Sequence, residues 1–385
     1  MAISFVKELS LFAAATAAMA GTALTYYWMF NYYSLSRPAW RYTEEEGESR
    51  LAAYKAVREK DQIHYRVINI DGGVFLQDKL LSQLETAEKL DFTFMNESIR
   101  VECSYLDWYE FENKLSQWTG STTDDELSSH GPIISFLGSN DYHHLTLALI
   151  RRFRMPFNVI MLDNHPDWIK YYLGLHCGSW LNHVADMKTV QRIFHLGGNS
   201  GEFEDTGFLC LTPWEHLIGE RAKIKVMPAI SCFTGTLWPK VEQVTMRDRW
   251  HKSMTKDRAM ELFKPHAEEL KKYPCYITLD KDVMIKKDAI QNWNSGMLTL
   301  QEVLVVLEAL IELTCGNILA IDIIGDFTKM MPRGFYRSYL HKSQHEESIN
   351  NTDQEKATAV NQETNILLLQ TLKNSFAKQY SQMNK

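Results

Sequence analysis

Short apolar runs alternate with amphipathic stretches along most of the chain. Apolar runs that end at glycine, aspartate or asparagine predict buried strands, whereas longer segments with apolar residues at helical spacing predict helices. The predicted strands are His64–Ile70, Pro132–Leu137, Phe157–Leu162, Val190–Leu196, Ile224–Met227, Cys275–Leu279 and Ile318–Ile324. The predicted helices are Leu145–Phe153, Leu300–Leu313 and Asn361–Phe376. Alternation of this kind predicts an α/β fold with a mostly parallel sheet.

The first forty residues have a different pattern. No side chain is charged from Leu9 to Ser36, and this run exceeds the roughly 20 residues that a helix needs to cross a bilayer. Aromatic residues in its second half, followed by Arg37 and Arg41, are typical of a membrane interface. We therefore predict a single-pass transmembrane helix within residues 9–36 and a main domain on the cytoplasmic side. The alternative is a cleaved signal peptide with small residues at 18–20.

These patterns divide the chain into three parts. Residues 1–40 form the membrane anchor or signal segment, residues 41–63 a charged juxtamembrane helix or linker, and residues 64–385 the catalytic domain. The net charge is −7 and no stretch is strongly basic, so we expect no nucleic-acid partner. The six cysteines form no C-x-x-C pair, which argues against a zinc ribbon. A homo-oligomer or a membrane complex is compatible with this composition.

Two acidic motifs directly follow predicted strands. Asp163, His165 and Asp167 come after FNVIML, and Asp280 and Asp282 come after CYITL. Alternate side chains of an extended backbone share a face, and ligands of an α/β sheet gather at the carboxyl ends of its strands. Four carboxylates crowded together would repel one another unless divalent cations neutralise them. The motifs therefore predict a metal site, with two ions.

The ligand types indicate which metal and which reaction to expect. Oxygen ligands with imidazole and no thiolate suit Mn²⁺, while Zn²⁺, Fe²⁺ and Ni²⁺ stay open. Two ions that share carboxylates lower the pKa of a bridging water and so supply hydroxide near neutral pH. We expect this metal-activated hydroxide to attack an electrophilic carbon of a small-molecule or amide substrate.

The motifs DNHPD and TLDKD resemble the two metal-binding motifs of the arginase and agmatinase (ureohydrolase) superfamily, and the resemblance spans roughly residues 64 to 376. It implies a three-layer α/β/α arginase-like fold and a binuclear manganese centre. The implied ligands that bridge or flank the ions are Asp163, Asp167 and Asp280, with His165 and Asp282 on one ion each. His176 in LHCGSWL is similar to a loop histidine that the family uses near the substrate, which implies a catalytic role in proton transfer.

Two motifs depart from the family pattern. GSNDYHH, which begins at Gly138, resembles the Gly-Gly-Asp-His-Ser ligand motif. Counting from Gly138 makes Asp141 the first choice for the sixth metal ligand and His143 the second. Gly325 stands where the family has its guanidinium-binding glutamate, and Asp326 is shifted by one position. A guanidinium substrate would therefore lose its partner.

Together these features predict a membrane-anchored binuclear-metal hydrolase. It would cleave a linear C–N bond of the amide or amidine type in a substrate other than a guanidinium. One alternative is a single-metal, deacetylase-like amidohydrolase. Another is a non-catalytic arginase-like subunit of a membrane assembly.

Overall fold

A computed structural model describes residues 20–37, 42–57, 63–119, 131–198, 211–220, 222–227, 229, 254–332, 334–335, 337–339, 341–342, 345 and 351–383. Within these residues the strands are β1 His64–Asn69, β2 Glu88–Asp91, β3 Glu102–Cys103, β4 Ile133–Gly138, β5 Phe157–Leu162, β6 Leu175–His176, β7 Val190–Leu196, β8 Ile224–Met227, β9 Cys275–Asp280 and β10 Ile318–Ile324.

The helices in the same ranges lie on both sides of the sheet. Residues 20–35 are helical. The further α-helices are Glu44–Val57, Asp78–Gln83, Asn96–Ile99, Tyr105–Trp118, Thr146–Ile150, Trp180–Asp186, Trp214–Leu217, Lys256–Phe263, Ala267–Lys272, Leu300–Leu313 and Gln354–Met383. Short 3₁₀ helices are Val74–Leu76, Thr93–Met95, Asn140–Leu145, Cys177–Ser179, Lys264–His266 and Lys281–Val283.

Eight strands form one sheet in the order β2-β1-β4-β10-β9-β5-β7-β8, and each neighbouring pair is parallel. The remaining two, β3 and β6, form an antiparallel pair. The predicted α/β fold with a mostly parallel sheet is confirmed. All seven predicted strands are present, with ends that differ by no more than about two residues, as is usual for such boundaries.

Both faces of the sheet are buried, as a parallel sheet requires. Alternate residues of β5 enter different hydrophobic cores because their side chains point to opposite faces. Met161 lies in the core that contains Trp108. Leu162 lies in the core that contains Leu310 and Leu372. The carboxyl edge between these two helical layers is therefore shielded from water on both sides.

The helix Leu300–Leu313 shows why the apolar pattern predicted its bounds. Thr299 and Glu302 form a capping box: the Thr299 hydroxyl accepts from the Glu302 amide, and the Glu302 carboxylate accepts from the Thr299 amide. Such a box satisfies amides that the first turn leaves without helical partners. The closing helix Gln354–Met383 is longer than predicted, because strong helix formers continue beyond the apolar stripe on either side.

The prediction of a single-pass membrane protein is wrong. No helix in the described part of the chain is long and apolar enough to cross a membrane. Tyr32 and Leu35, near the end of the helical residues 20–35, are buried in the domain core. The hydroxyl of Tyr32 accepts from Asn182 at 2.6 Å, and Arg151 donates to the carbonyl of Leu35 at 2.9 Å. Residues 9–19 of the predicted span lie outside the described residues.

The docking of this helix leads to a test of stability. Leu35 is fully buried, whereas Tyr26 on the same helix is 71% exposed. We expect Leu35→Ala to lower the free energy of unfolding by about 2–5 kcal/mol, because it leaves a cavity in a packed core. Tyr26→Ala is the control and should change it by less than about 0.5 kcal/mol. Urea midpoints measure both, and equal effects would contradict the docking of the helix on the domain.

Candidate metal centre

Parallel strands bring both acidic motifs to one edge of the sheet. The strands β5 and β9 are neighbours, with Leu162 opposite Leu279, so the residues that follow them emerge side by side. His143 comes from the 3₁₀ helix that follows β4. We call the resulting group the edge cluster. Its members are His143, Asp163, His165, Asp167, Asp280 and Asp282.

One half of the edge cluster is centred on His143. Its Nδ1 atom lies 3.1 Å from Oδ2 of Asp163, 3.0 Å from Oδ2 of Asp167 and 3.4 Å from Oδ2 of Asp280. Both His143 and Asp163 are about 1% exposed. Neither His143 Nδ1 nor Asp163 Oδ2 has a well-directed hydrogen-bond partner among the described residues. Ligand atoms that converge without hydrogen-bonding one another fit a cation between them.

The other half is centred on His165. Its Nδ1 atom lies 2.8 Å from Oδ2 of Asp282 and 3.8 Å from Oδ1 of Asp163. The backbone amide of Asn164 donates to Oδ1 of Asp282 at 3.0 Å and so fixes that carboxylate. The two oxygens of Asp163 thus face different halves of the cluster. A carboxylate in this position can be shared by two ions.

The local backbone holds these side chains in place. Asp167 has a positive φ of 51°, a conformation uncommon outside glycine and found more often for aspartate than for most residues. The indole nitrogen of Trp180 donates to Oδ2 of Asp167 at 2.7 Å. Asp280 caps the 3₁₀ helix that follows it by accepting from the Asp282 amide at 2.9 Å. Hydrogen bonds within the chain therefore orient two carboxylates of the cluster.

Burial makes the charge of the cluster unfavourable without cations. Burial, and then the charges of Asp282 and Asp167, raise the pKa of Asp163 well above its usual range. Burial and the charge of Asp282 do the same to the pKa of Asp280. Carboxylates at a few per cent exposure remain ionised only when positive charge lies beside them. The donor set of oxygens and imidazoles fits a pair of divalent metal ions.

Asp141 lies apart from the edge cluster, although it was the first choice for the sixth ligand. The structure favours His143 because the backbone after Ser139 turns into a 3₁₀ helix and does not continue as a strand. With about three residues per turn, a side chain two positions further along points toward the carboxylates. Asp141 points instead into a second buried group.

This second group already has its own positive charge. Asp141 accepts from Nη2 of Arg100 at 2.7 Å and from the indole of Trp293 at 2.8 Å. Nε2 of His341 and Nε2 of His345 lie 3.2 and 3.0 Å from its two carboxylate oxygens. Both Arg100 and Asp141 are fully buried. Three candidate ligand residues converge here, but a guanidinium beside the carboxylate repels a metal ion, so we assign this group a structural role.

The predicted catalytic residue His176 lies beside the edge cluster. It is half-buried at the end of β6, and its Nδ1 accepts from the amide of Gly178 at 2.9 Å. A Cβ atom on Gly178 would stand 3.3 Å from Nδ1 of His176 and 3.9 Å from Oδ1 of Asp167, so only this glycine separates the two groups. Burial lowers the pKa of His176. A neutral imidazole with a defined tautomer therefore faces the cluster.

Gly325 and Asp326 do not supply a carboxylate to the site. Gly325 has a φ of 102°, and a Cβ there would lie 2.8 Å from Oδ1 of Asp280. A register shift interrupts the pairing of β10 with β4 just before Gly325. Asp326 forms an ion pair with the buried amine of Lys281, which points away from the edge cluster. Only glycine fits at this position.

Comparisons with known proteins agree with the motifs. No protein-family profile matches the chain. An uncharacterized protein of Thermotoga maritima is 23% identical over 193 residues, which are 50% of this chain and only 58% of that relative. Structural neighbours include an arginase, an agmatine ureohydrolase and a formimidoylglutamase. This chain resembles the ureohydrolases, as its motifs predicted.

The likeness is remote in both sequence and geometry. The arginase of Entamoeba histolytica is 11% identical with a TM-score of 0.48, over 81% of this chain and 98% of its own. The formimidoylglutamase of Bacillus subtilis is 12% identical with a TM-score of 0.46, over 81% and 87%. The agmatine ureohydrolase of Thermoplasma volcanium is 14% identical with a TM-score of 0.45, over 85% and 93%. Because all three TM-scores are below 0.5, function is inferred from this chain's own residues.

Several residues around the site escaped the sequence-based prediction. Trp180 donates to Asp167, 13 residues earlier, and Trp293 donates to Asp141, 152 residues earlier; nothing in their local pattern indicates either contact. His341 and His345 carry a signal, because a spacing of four places two side chains on one face of a helix. The sequence around Arg100 contains no motif that predicts its contact with Asp141, and only the fold brings the two together.

The close approach at Gly325 is open to test. We expect Gly325→Ala and Gly325→Glu to lower both the free energy of unfolding and the metal content, because the added Cβ would displace Asp280. Gly72→Ala is the matched control: its φ is 78°, but a Cβ there meets nothing within 4 Å. It should show only backbone strain of about 1–2 kcal/mol and full metal content. Equal behaviour of Gly325→Ala and Gly72→Ala would contradict the crowding at Asp280.

Proposed function

We propose that this protein is a two-metal hydrolase that cleaves a linear C–N bond of the amide or amidine type. The observation that carries the proposal is the position of Asp163. One of its oxygens faces His143 and the other faces His165, so its carboxylate can bridge two ions. The motifs DNHPD and TLDKD, which resemble those of the ureohydrolases, support the same reaction class.

The edge cluster divides into two ligand sets in this proposal. His143, Asp163, Asp167 and Asp280 would hold one ion, and Asp163, His165 and Asp282 the other, with Asp280 close enough to be shared. Four carboxylates and two imidazoles without a thiolate favour Mn²⁺ over Zn²⁺, Fe²⁺ or Ni²⁺. When bound, the cations would supply the Lewis acidity that makes hydroxide available near neutral pH.

His176 has the geometry to transfer protons in this reaction. The amide of Gly178 occupies its Nδ1, so Nε2 is the nitrogen that exchanges a proton. The departing amine of a hydrolysed C–N bond must gain a proton, and His176 can deliver the one on Nε2 once Nδ1 has taken up a proton from water in place of its bond to the Gly178 amide. The β3–β6 pairing and the bond between Ser179 Oγ and the His176 amide hold the imidazole in place.

The surroundings of the edge cluster favour an uncharged scissile group. A guanidinium needs an unpaired carboxylate, but three carboxylates around the site are engaged by cations of the chain. Asp141 binds Arg100, Asp326 binds Lys281, and Glu102 lies 3.7 Å from Arg337. Within the described residues, the half-buried Trp293 also lies edge-on to His165, with ring centroids 5.3 Å apart. Of the two bond types proposed, these contacts favour the amide, because an amidine is a cation at neutral pH.

Metal content provides the first test of this function. Protein purified without added metal and then loaded with Mn²⁺ should bind two ions per chain. His143→Ala should retain one ion, because three carboxylates would be left without their imidazole. Asp141→Asn is the matched control and should retain two ions, although it would lower the free energy of unfolding by about 3–5 kcal/mol by removing the nearer of the two carboxylates that face Arg100. One ion in the unaltered chain would support the deacetylase-like alternative, and none would overturn the proposal.

Turnover provides the second test. A panel of linear amides, amidines and guanidines would be assayed with the Mn²⁺-loaded chain, and we expect hydrolysis of a neutral member. His176→Asn should lower kcat on that substrate by about 10²–10⁴-fold, because proton transfer to the leaving group is lost. Its metal content should stay at two ions. An unchanged kcat would remove His176 from the mechanism, and no turnover of any compound would favour a non-catalytic role.

A further inference from the structure

The imidazole of His143 has contacts on both of its nitrogens. Nδ1 faces the carboxylates of the edge cluster, whereas Nε2 lies 2.9 Å from Oγ1 of Thr278. Thr278 lies on β9 two residues before Asp280, so the two side chains share one face of the strand. Its partner across the sheet is Asp322 of β10. A buried chain of three side chains therefore runs from the edge cluster into the sheet.

The number of protons on each side chain determines which group donates in each of these hydrogen bonds. The hydroxyl of Thr278 has a single proton, which it donates to Oδ1 of Asp322 at 2.6 Å. The phenol of Tyr276 donates to Oδ2 of the same carboxylate. Oγ1 of Thr278 must then accept from His143, so the imidazole carries its proton on Nε2. In the neutral imidazole, Nδ1 is then left with a lone pair directed at the carboxylates.

We propose that Thr278 and Asp322 are positioning residues for the ion held by His143, an inference that rests on the metal centre proposed above. The chain Asp322–Thr278–His143 keeps the imidazole in the tautomer that binds a cation through Nδ1. The opposite tautomer would direct an N–H group at the cation and could not bind it. Hydrogen bonds to the distal nitrogen of a ligating histidine also raise its basicity and fix its orientation.

We call the hydrogen-bonded series Asp322–Thr278–His143 the relay. It contacts only one of the two ligand sets. Thr278 bonds to His143, whereas Nδ1 of His165 lies against Asp282 on the other side of Asp163. Loss of the Thr278 hydroxyl should therefore lower the affinity for one ion and leave the affinity for the other unchanged. A purely structural threonine would affect stability without separating the two ions.

The test is a titration of the metal-free full-length chain with Mn²⁺. Thr278→Val keeps the shape of the side chain but removes the hydroxyl, and we expect the affinity of one ion to fall by about 10–100-fold. Thr278→Ser keeps the hydroxyl and should restore the affinity to near that of the unaltered chain. Thr314→Val makes the same change at a buried threonine whose hydroxyl donates to the carbonyl of Leu310. Both ions should bind to it normally.

The outcomes separate the relay from the metal centre itself. If the unaltered chain binds two ions and Thr278→Val binds both with unchanged affinity, the relay is refuted while the metal centre stands. If the unaltered chain binds no ion, the proposed function fails first. Equal weakening of both ions, or failure of Thr278→Ser to restore affinity, would mean a structural role and also refute the relay. Thr278→Ala replaces Thr278→Val in these comparisons if the valine variant does not fold.

Discussion

Four carboxylates lie together at a buried edge of the sheet, and their mutual repulsion is the constraint on which the rest of the site depends. Burial raises the pKa of Asp163 and Asp280, so the arrangement is unfavourable unless cations join it. The sheet holds these side chains together despite their repulsion, because β5 and β9 are neighbours that are packed on both faces. Rigid strands thus maintain a charge arrangement that favours divalent ions.

Two other buried carboxylates in the described residues are neutralised by cations of the chain itself. Arg100 compensates Asp141, and Lys281 compensates Asp326. Lys281 lies between Asp280 and Asp282 in sequence. Its amine does not join the edge cluster but forms an ion pair with Asp326. This division leaves negative charge for cations at the edge cluster and no free carboxylate for a guanidinium at Asp141 or Asp326. The proposed metal binding and the proposed substrate class rest on the same distribution of charge.

The sheet and the meeting of five acidic and histidine side chains at its edge could both be predicted from the sequence, because both depend on local periodicity. Asp163, His165, Asp167, Asp280 and Asp282 follow apolar strands, and parallel strands end at one edge. The sixth ligand stays a prediction, and the backbone geometry bears on the choice between Asp141 and His143. Counting along a motif assumes that the backbone continues as in the family, but a 3₁₀ helix after Ser139 turns His143 toward the carboxylates and directs Asp141 elsewhere.

What the sequence by itself determined is the order of strands and helices and the acidic motifs at the strand ends, because side-chain period and turn chemistry are local properties. Tertiary structure alone decided which distant groups compensate each charge, such as Arg100 at Asp141. Tertiary structure also decided where the end of the uncharged N-terminal run packs, at Tyr32 and Leu35. Lipid and a protein core attract the same apolar side chains, so composition could not show that Tyr32 and Leu35 pack against this chain's own domain.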